Sequence, residues 1–221
     1  ETCFRSHGLA SSQILLTHED LSDRTRYLNA RATVLRLLDF NVIPVVNEND
    51  TVVTDEIRFG DNDTLAALVA NLIQANELII LTDQQGMYRE DPRANPDAEL
   101  LSEVQANDRS LDAMATGGAG TLGRGGMTTK VQAARLAARS GADTLIAHGL
   151  TDNVIVKIAS GDAIGTRFVA PDAAQTARKR WLAGHLRVKG YVYLDEGAQR
   201  AVTEMGRSLL PVGVNRVEGD F

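Results

Sequence analysis

Short apolar runs of strand length alternate along this chain with longer segments whose apolar residues recur at helical spacing. "SQILLT" (12–17) reads as a buried strand. "DRTRYLNARATVLRLLDFN" sets Tyr27, Val34 and Leu38 on one helical stripe, with Leu28 and Leu35 beside it. "VIPVV" (42–46) is a second strand. "DTLAALVANLIQAN" puts Leu65, Leu68, Val69, Leu72 and Ile73 at helical spacing behind Asp63 as an N-cap. "ELIILT" (77–82) is apolar on both faces, which predicts a central parallel strand. A helix ended by Gly141 and a strand "DTLIAHG" (143–149) follow. Such alternation implies crossover units and a mostly parallel sheet covered by helices, an α/β fold.

The pattern changes beyond Pro171. A basic run, Arg178-Lys179-Arg180, leads into a strand (190–194), a short helix (196–205) and a strand near 212–217. This predicts a first domain over 1–175 and the start of a second, β-rich one over 176–221. The chain opens on Glu1 and closes on Asp220-Phe221 directly after a strand, as expected of an excerpt from a longer polypeptide.

Composition bounds the function. The chain is 43% hydrophobic and 24% charged, which suits a packed core. A net charge of −6 argues against bulk attraction to nucleic acid or anionic membrane. No apolar run reaches the ~20 residues that span a bilayer. The lone Cys3 cannot form an internal disulfide, which suits a cytoplasmic setting. The histidines are scattered without metal-ligand spacing, so no protein metal site is expected.

Open parallel sheets bind ligands beyond the C-terminal ends of their strands. Three polar clusters fall there. The first, Asn47–Asp63, concentrates carboxylates and amides. Amides can hold a carboxylate and carboxylates an ammonium, the two needs of an amino-acid ligand. A solvated acidic hairpin is the plainer alternative. The second is "LTDQQGMYREDPR", where Asp83 is read as a ribose ligand, a lysine partner or a turn cap. The third is "GTLGRGGMTTK" (120–130), whose glycines and helix start suit a phosphate, with Lys130 in reach. It lacks the Walker A order, and a flexible loop before a helix is its plainer reading.

"VIPVVNENDTV", "FGDNDTLAALVA", "LIILTDQQGMYREDPR" and "GRGGMTTKVQAA" together resemble the glutamate-phosphorylating branch of the amino-acid kinase family. The tail from Arg178 resembles the start of a PUA domain. The resemblance implies a three-layer αβα sandwich and Mg-ATP-dependent phosphorylation of the L-glutamate γ-carboxylate, the first step of proline synthesis. By motif it implies a glutamate site at Asn47, Asp50, Asp61, Asn62 and Asp63. It implies nucleotide contacts at Thr82, Asp83 and Arg124, Gly125, Gly126, Met127, Thr128, Thr129 and Lys130. Lys130 would act on the transferred phosphate, with ATP and Mg2+ as cofactors. Homo-oligomers and feedback by proline come with the family. The family usually carries Thr where this chain has Arg124. Its N-terminal portion, with a phosphate-contacting Lys and a Ser-Gly-Ala segment, has no counterpart here. The 221 residues alone are therefore expected to lack kinase activity. Other kinases of the family, an RNA-binding protein and a catalytically incomplete fragment with a binding role are the rival readings.

Overall fold

The computed structural model describes residues 2–52, 61–116, 126–171 and 190–219. The chain divides into two compact units, 1–185 and 186–221.

The first unit opens with α1 (Thr2–Ser6) and β1 (Ala10–Leu16). Next come α2 (His18–Ser22), α3 (Arg24–Asp39) and β2 (Val42–Glu48), which pairs parallel with β1. Thr17 and Asp20 start α2 by reciprocal capping: the Thr17 hydroxyl accepts from the Asp20 N–H while the Asp20 carboxylate accepts from the Thr17 N–H. Tyr27 and Val34 of α3 are buried as the stripe requires, but Leu28 and Leu38 at its margins are exposed.

Helix α4 (Asn62–Ile73) is followed by β3 (Glu77–Thr82), β4 (Glu103–Gln105) and α5 (Ser110–Thr116). After these come α6 (Met127–Ala138), β5 (Asp143–His148), α7 (Val154–Ala159) and β6 (Thr166–Val169). The second sheet runs in the order β3-β5-β6-β4. β3–β5 and β4–β6 are parallel and β5–β6 antiparallel, so the expected α/β fold with mostly parallel pairing holds. Two expectations change. β3 sits at an edge of the described sheet with Leu81 exposed, and β5 is the strand buried on both faces, from Thr144 to Ala147. The N-cap of α4 is Asp61, not Asp63: its carboxylate accepts from the Thr64 N–H at 2.6 Å and the Thr64 hydroxyl at 3.0 Å.

Helix α4 belongs to two apolar clusters. Leu65, Leu68 and Leu72 pack with Leu16, Leu21, Tyr27 and Val34. Ala67 and Ala70 join the larger core of β3, β5, β6 and α6, which holds Ile80, Val131, Ile146 and Phe168. A helix walled on both sides must be apolar nearly all round, which explains the "LAALVANLI" sequence.

The second unit pairs β7 (Gly190–Leu194) antiparallel with β8 (Val214–Gly219). Between them lie α8 (Glu196–Thr203) and a short 3-10 turn (Pro211–Gly213). Asp195 caps α8 by accepting from the Ala198 N–H at 2.6 Å.

Candidate functional site

The loop after β3 and the first turn of α6 face one another across a cleft of about 140 Å³. Thr82, Asp83, Met87 and Arg93 line one side and Gly126 and Lys130 the other. The position follows from the fold. Parallel strands deliver the chain to the C-terminal edge of the sheet, where the next helix begins with its free N–H groups facing the same space.

Gly126 caps α6 without a side-chain acceptor. Apart from the Thr129 N–H, which donates to the Gly126 carbonyl at 3.2 Å, the first-turn donors of such a helix are open to an anion, and its dipole favours one. Two residues of that turn reach back to α4. The Lys130 ammonium donates to Asp63 Oδ2 at 3.0 Å, with the two side chains only 12% and 18% exposed. The Thr129 hydroxyl lies 2.9 Å from the same oxygen and 2.8 Å from the Gly126 carbonyl. Its single proton serves one acceptor at a time. Asp63 thus gathers a cation and a hydroxyl from the glycine-rich segment, a link of 67 residues in sequence.

On the opposite wall the Thr82 hydroxyl donates to Asp83 Oδ1 at 3.1 Å. This bond, more than any other influence, holds the Asp83 carboxyl below its ordinary value. Asp83 is therefore ionised throughout the neutral range. The floor is fixed by Thr166, which is fully buried. Its hydroxyl accepts from the Met87 N–H at 2.8 Å and donates to the Leu101 carbonyl at 2.5 Å. A side chain on Gly86 would come within 2.5 Å of that hydroxyl, so the loop lies against β6 only because position 86 has none.

The structure joins some of the expected site residues and separates others. Asp63, Thr129 and Lys130 meet directly, and Thr82, Asp83, Gly126 and Met127 border the same cleft. The Thr128 hydroxyl turns toward the Ala115 carbonyl of α5. Asp61 is occupied as a cap, while Asn62 beside it is exposed. Asn47, next to last in β2, is exposed, its amide 3.5 Å from the Glu48 carbonyl, and Asp50 lies in the following turn. Arg124 and Gly125 lie outside the described residues. Arg93, in a turn after β3, also borders the cleft, a placement that its local sequence does not signal. The described residues contain no group of three or more potential metal-ligating side chains.

Comparison with known proteins gives a consistent family. The model of the amino acid kinase family matches residues 1–148. The full chain is 59% identical to a protein named glutamate 5-kinase from Hahella chejuensis, of which it covers 57%. It is 60% identical to one from Nitrosospira multiformis and 58% to one from Pseudomonas aeruginosa, covering 59% of each. The chain thus spans less than two thirds of the length of these relatives. Among solved structures, an isopentenyl phosphate kinase aligns over 76% of this chain and 63% of its own, with TM-score 0.52 and 18% identity. A UMP kinase from Ureaplasma parvum aligns over the same shares with TM-score 0.53 and 13% identity. At such identities these two speak for the fold alone.

Proposed function

Because the chain belongs to the amino acid kinase family, we propose that its protein transfers the γ-phosphoryl group of ATP to the γ-carboxylate of L-glutamate, opening proline biosynthesis. The observation that carries this reading is the bond from Lys130 to Asp63. It links the helix start suited to a phosphate with the loop suited to an amino acid. The identity with proteins named glutamate 5-kinase supports the choice of acceptor.

Phosphoryl transfer needs alignment and charge neutralisation more than covalent help. The acceptor carboxylate is ionised at neutral pH and needs no general base. Two anions must approach one another. The first-turn N–H groups of α6 bind the phosphates, and the Lys130 ammonium, held by Asp63, balances charge as the phosphoryl group moves. Asn47, Asp50 and Asn62 clasp the zwitterionic acceptor, with carboxylate toward ammonium and amides toward carboxylate. Thr82 and Asp83 hold the nucleotide from the other wall. The donor set fits Mg2+ brought in on the nucleotide, since this ion is commonly held by one or two carboxylates plus substrate phosphates, and Asp83 offers such a carboxylate. When bound, Mg2+ neutralises phosphate charge.

In this reading, 1–175 is kinase domain and 176–221 the start of a PUA domain. The protein works in the cytoplasm, as a homo-oligomer open to feedback by proline. The described helices are consistent with that setting, since none is long and apolar enough to cross a membrane.

The test is an ADP-release assay on the full-length chain with glutamate, aspartate, acetylglutamate, carbamate and UMP as acceptors. Hydroxylamine traps the acyl phosphate. A glutamyl hydroxamate formed at the rate of ADP release is the expected result. ADP release with another acceptor and none with glutamate would overturn the assignment.

A further inference from the structure

Helices α4 and α6 run side by side and carry Asp63 and Lys130 on their first turns. The seam between them is made of small buried residues: Ala67 and Ala70 on α4, Ala133, Ala134 and Ala137 on α6. The alanines allow close approach but interlock little, and Val131 and the half-buried Leu136 of α6 are the larger side chains packed in these clusters. One polar link crosses the seam at its far end. The Asn71 amide donates to the Leu136 carbonyl at 3.2 Å, and the Ser140 hydroxyl faces Asn71 Oδ1 as well as the Ala137 carbonyl at 2.9 Å. Asn71 is 6% exposed and Ser140 5%, so water does not compete for these bonds.

We infer that Asn71 and Ser140 are positioning residues that set the axial register of α4 against α6 and thereby keep Asp63 opposite Lys130. A slip of one residue along a helix is about 1.5 Å. To the extent that it lies along the line from Lys130 to Asp63, it stretches the 3.0 Å separation beyond hydrogen-bond range. The Asn71 amide fixes this register because it meets one specific carbonyl. The alanines alone resist such a slip less than a directional hydrogen bond to a single carbonyl does. The kinetic side of the inference rests on the proposed phosphoryl transfer; the geometric side does not.

The test uses Asn71→Leu, close in size but unable to hydrogen-bond, and Ser140→Ala, which leaves the Asn71 bond to Leu136 in place. Ser140→Thr keeps the hydroxyl. Acetylation of Lys130 by an N-hydroxysuccinimide ester is followed by peptide mass spectrometry, with Lys157 as the internal reference. Loss of register frees the Lys130 ammonium, so its labelling should rise by roughly threefold or more in Asn71→Leu and less in Ser140→Ala. Lys157 should be unchanged, and Ser140→Thr should match the parent.

In the full-length enzyme, Asn71→Leu should lower kcat by roughly tenfold with both KM values within about twofold. In a Lys130→Ala background the same substitution should add less than about twofold, because the group it positions is gone. Parent-like Lys130 labelling in both variants overturns the inference, as does a full multiplicative loss of kcat in the Lys130→Ala background. If Asn71→Leu fails to fold, Ser140→Ala and Ser140→Thr decide by labelling. A parent protein that phosphorylates no glutamate defeats the proposed function, and labelling then decides the register question alone.

Discussion

Lys130 on α6 donates to Asp63 on α4 at 3.0 Å, and both side chains are largely withdrawn from water. A lysine read from the sequence as a phosphate ligand is thus held by a carboxylate read as a substrate ligand. The pair makes one element of the two clusters. It holds the ammonium close to the cleft, where in the proposed transfer its charge would act on the negative charge shifting between the phosphoryl group and the acceptor.

Lys130→Ala in the full-length enzyme should lower kcat by on the order of 10²-fold or more, while KM for glutamate changes far less. Steady-state kinetics with both substrates varied checks this. A kcat within a few-fold of the parent would remove Lys130 from the chemistry.

The acidic loop should split into two behaviours. Asp63→Asn leaves the Lys130 ammonium without its acceptor, so it should act mainly on kcat. Asp50→Ala and Asn62→Ala should raise KM for glutamate with smaller effects on KM for ATP. The reverse pattern, with ATP affinity lost and glutamate binding retained, would dismiss the glutamate clasp.

The Thr82 hydroxyl is the largest of the influences that keep the Asp83 carboxyl below its ordinary value. A group so depressed by folding adds stability that is complete above the ordinary carboxylate value and lost as pH falls through the lowered one. Thr82→Val should therefore raise the Asp83 titration midpoint toward the ordinary carboxylate value and shift acid loss of nucleotide binding to higher pH. Carbon-13 NMR titration of the Asp83 carboxyl measures it, and superimposable curves for parent and variant would refute the role of Thr82.

Arg135 bridges α6 to the segment before it. Its guanidinium donates to the Ala106 carbonyl at 3.3 Å, the Asp108 carbonyl at 2.8 Å and both Asp112 oxygens at 2.6 and 3.1 Å. Lysine lacks this planar fork. Arg135→Lys should lower Tm by about 2–6 °C. Asp112 is exposed, so Asp112→Ala should shift Tm by no more than about 2 °C. Differential scanning fluorimetry distinguishes the two, and equal shifts would contradict the view that the carbonyl bonds dominate.

What could be read in advance was what local pattern controls. The apolar runs of β2, β3 and β5, the stripe of α4 and the helix before Gly141 are visible without any partner, and the observed elements fall on them. β6 was missed because "TRFV" is four residues long and its signal, the fully buried Phe168, depends on strands far away in sequence. The cap of α4 was misplaced because "DND" offers two aspartates of equal local merit. Asp63 is taken by Lys130, so Asp61 is left to cap. Asn71 did carry a visible sign, as a lone amide inside an apolar helix, but its partners lie 65 and 69 residues away.

The double burial of α4 bears on how the molecule breathes. Leu65, Leu68 and Leu72 are held by one cluster and Ala67 and Ala70 by the other. No fluctuation can expose the amides between Ala67 and Leu72 without opening both clusters together. Their exchange with deuterium should follow the slowest, global route, at the rate set by unfolding of the whole first unit. In the loop of Asp83 to Arg93, exposed residues such as Asp83 and Glu90 can exchange sooner than Met87, whose N–H is held by the buried Thr166 hydroxyl.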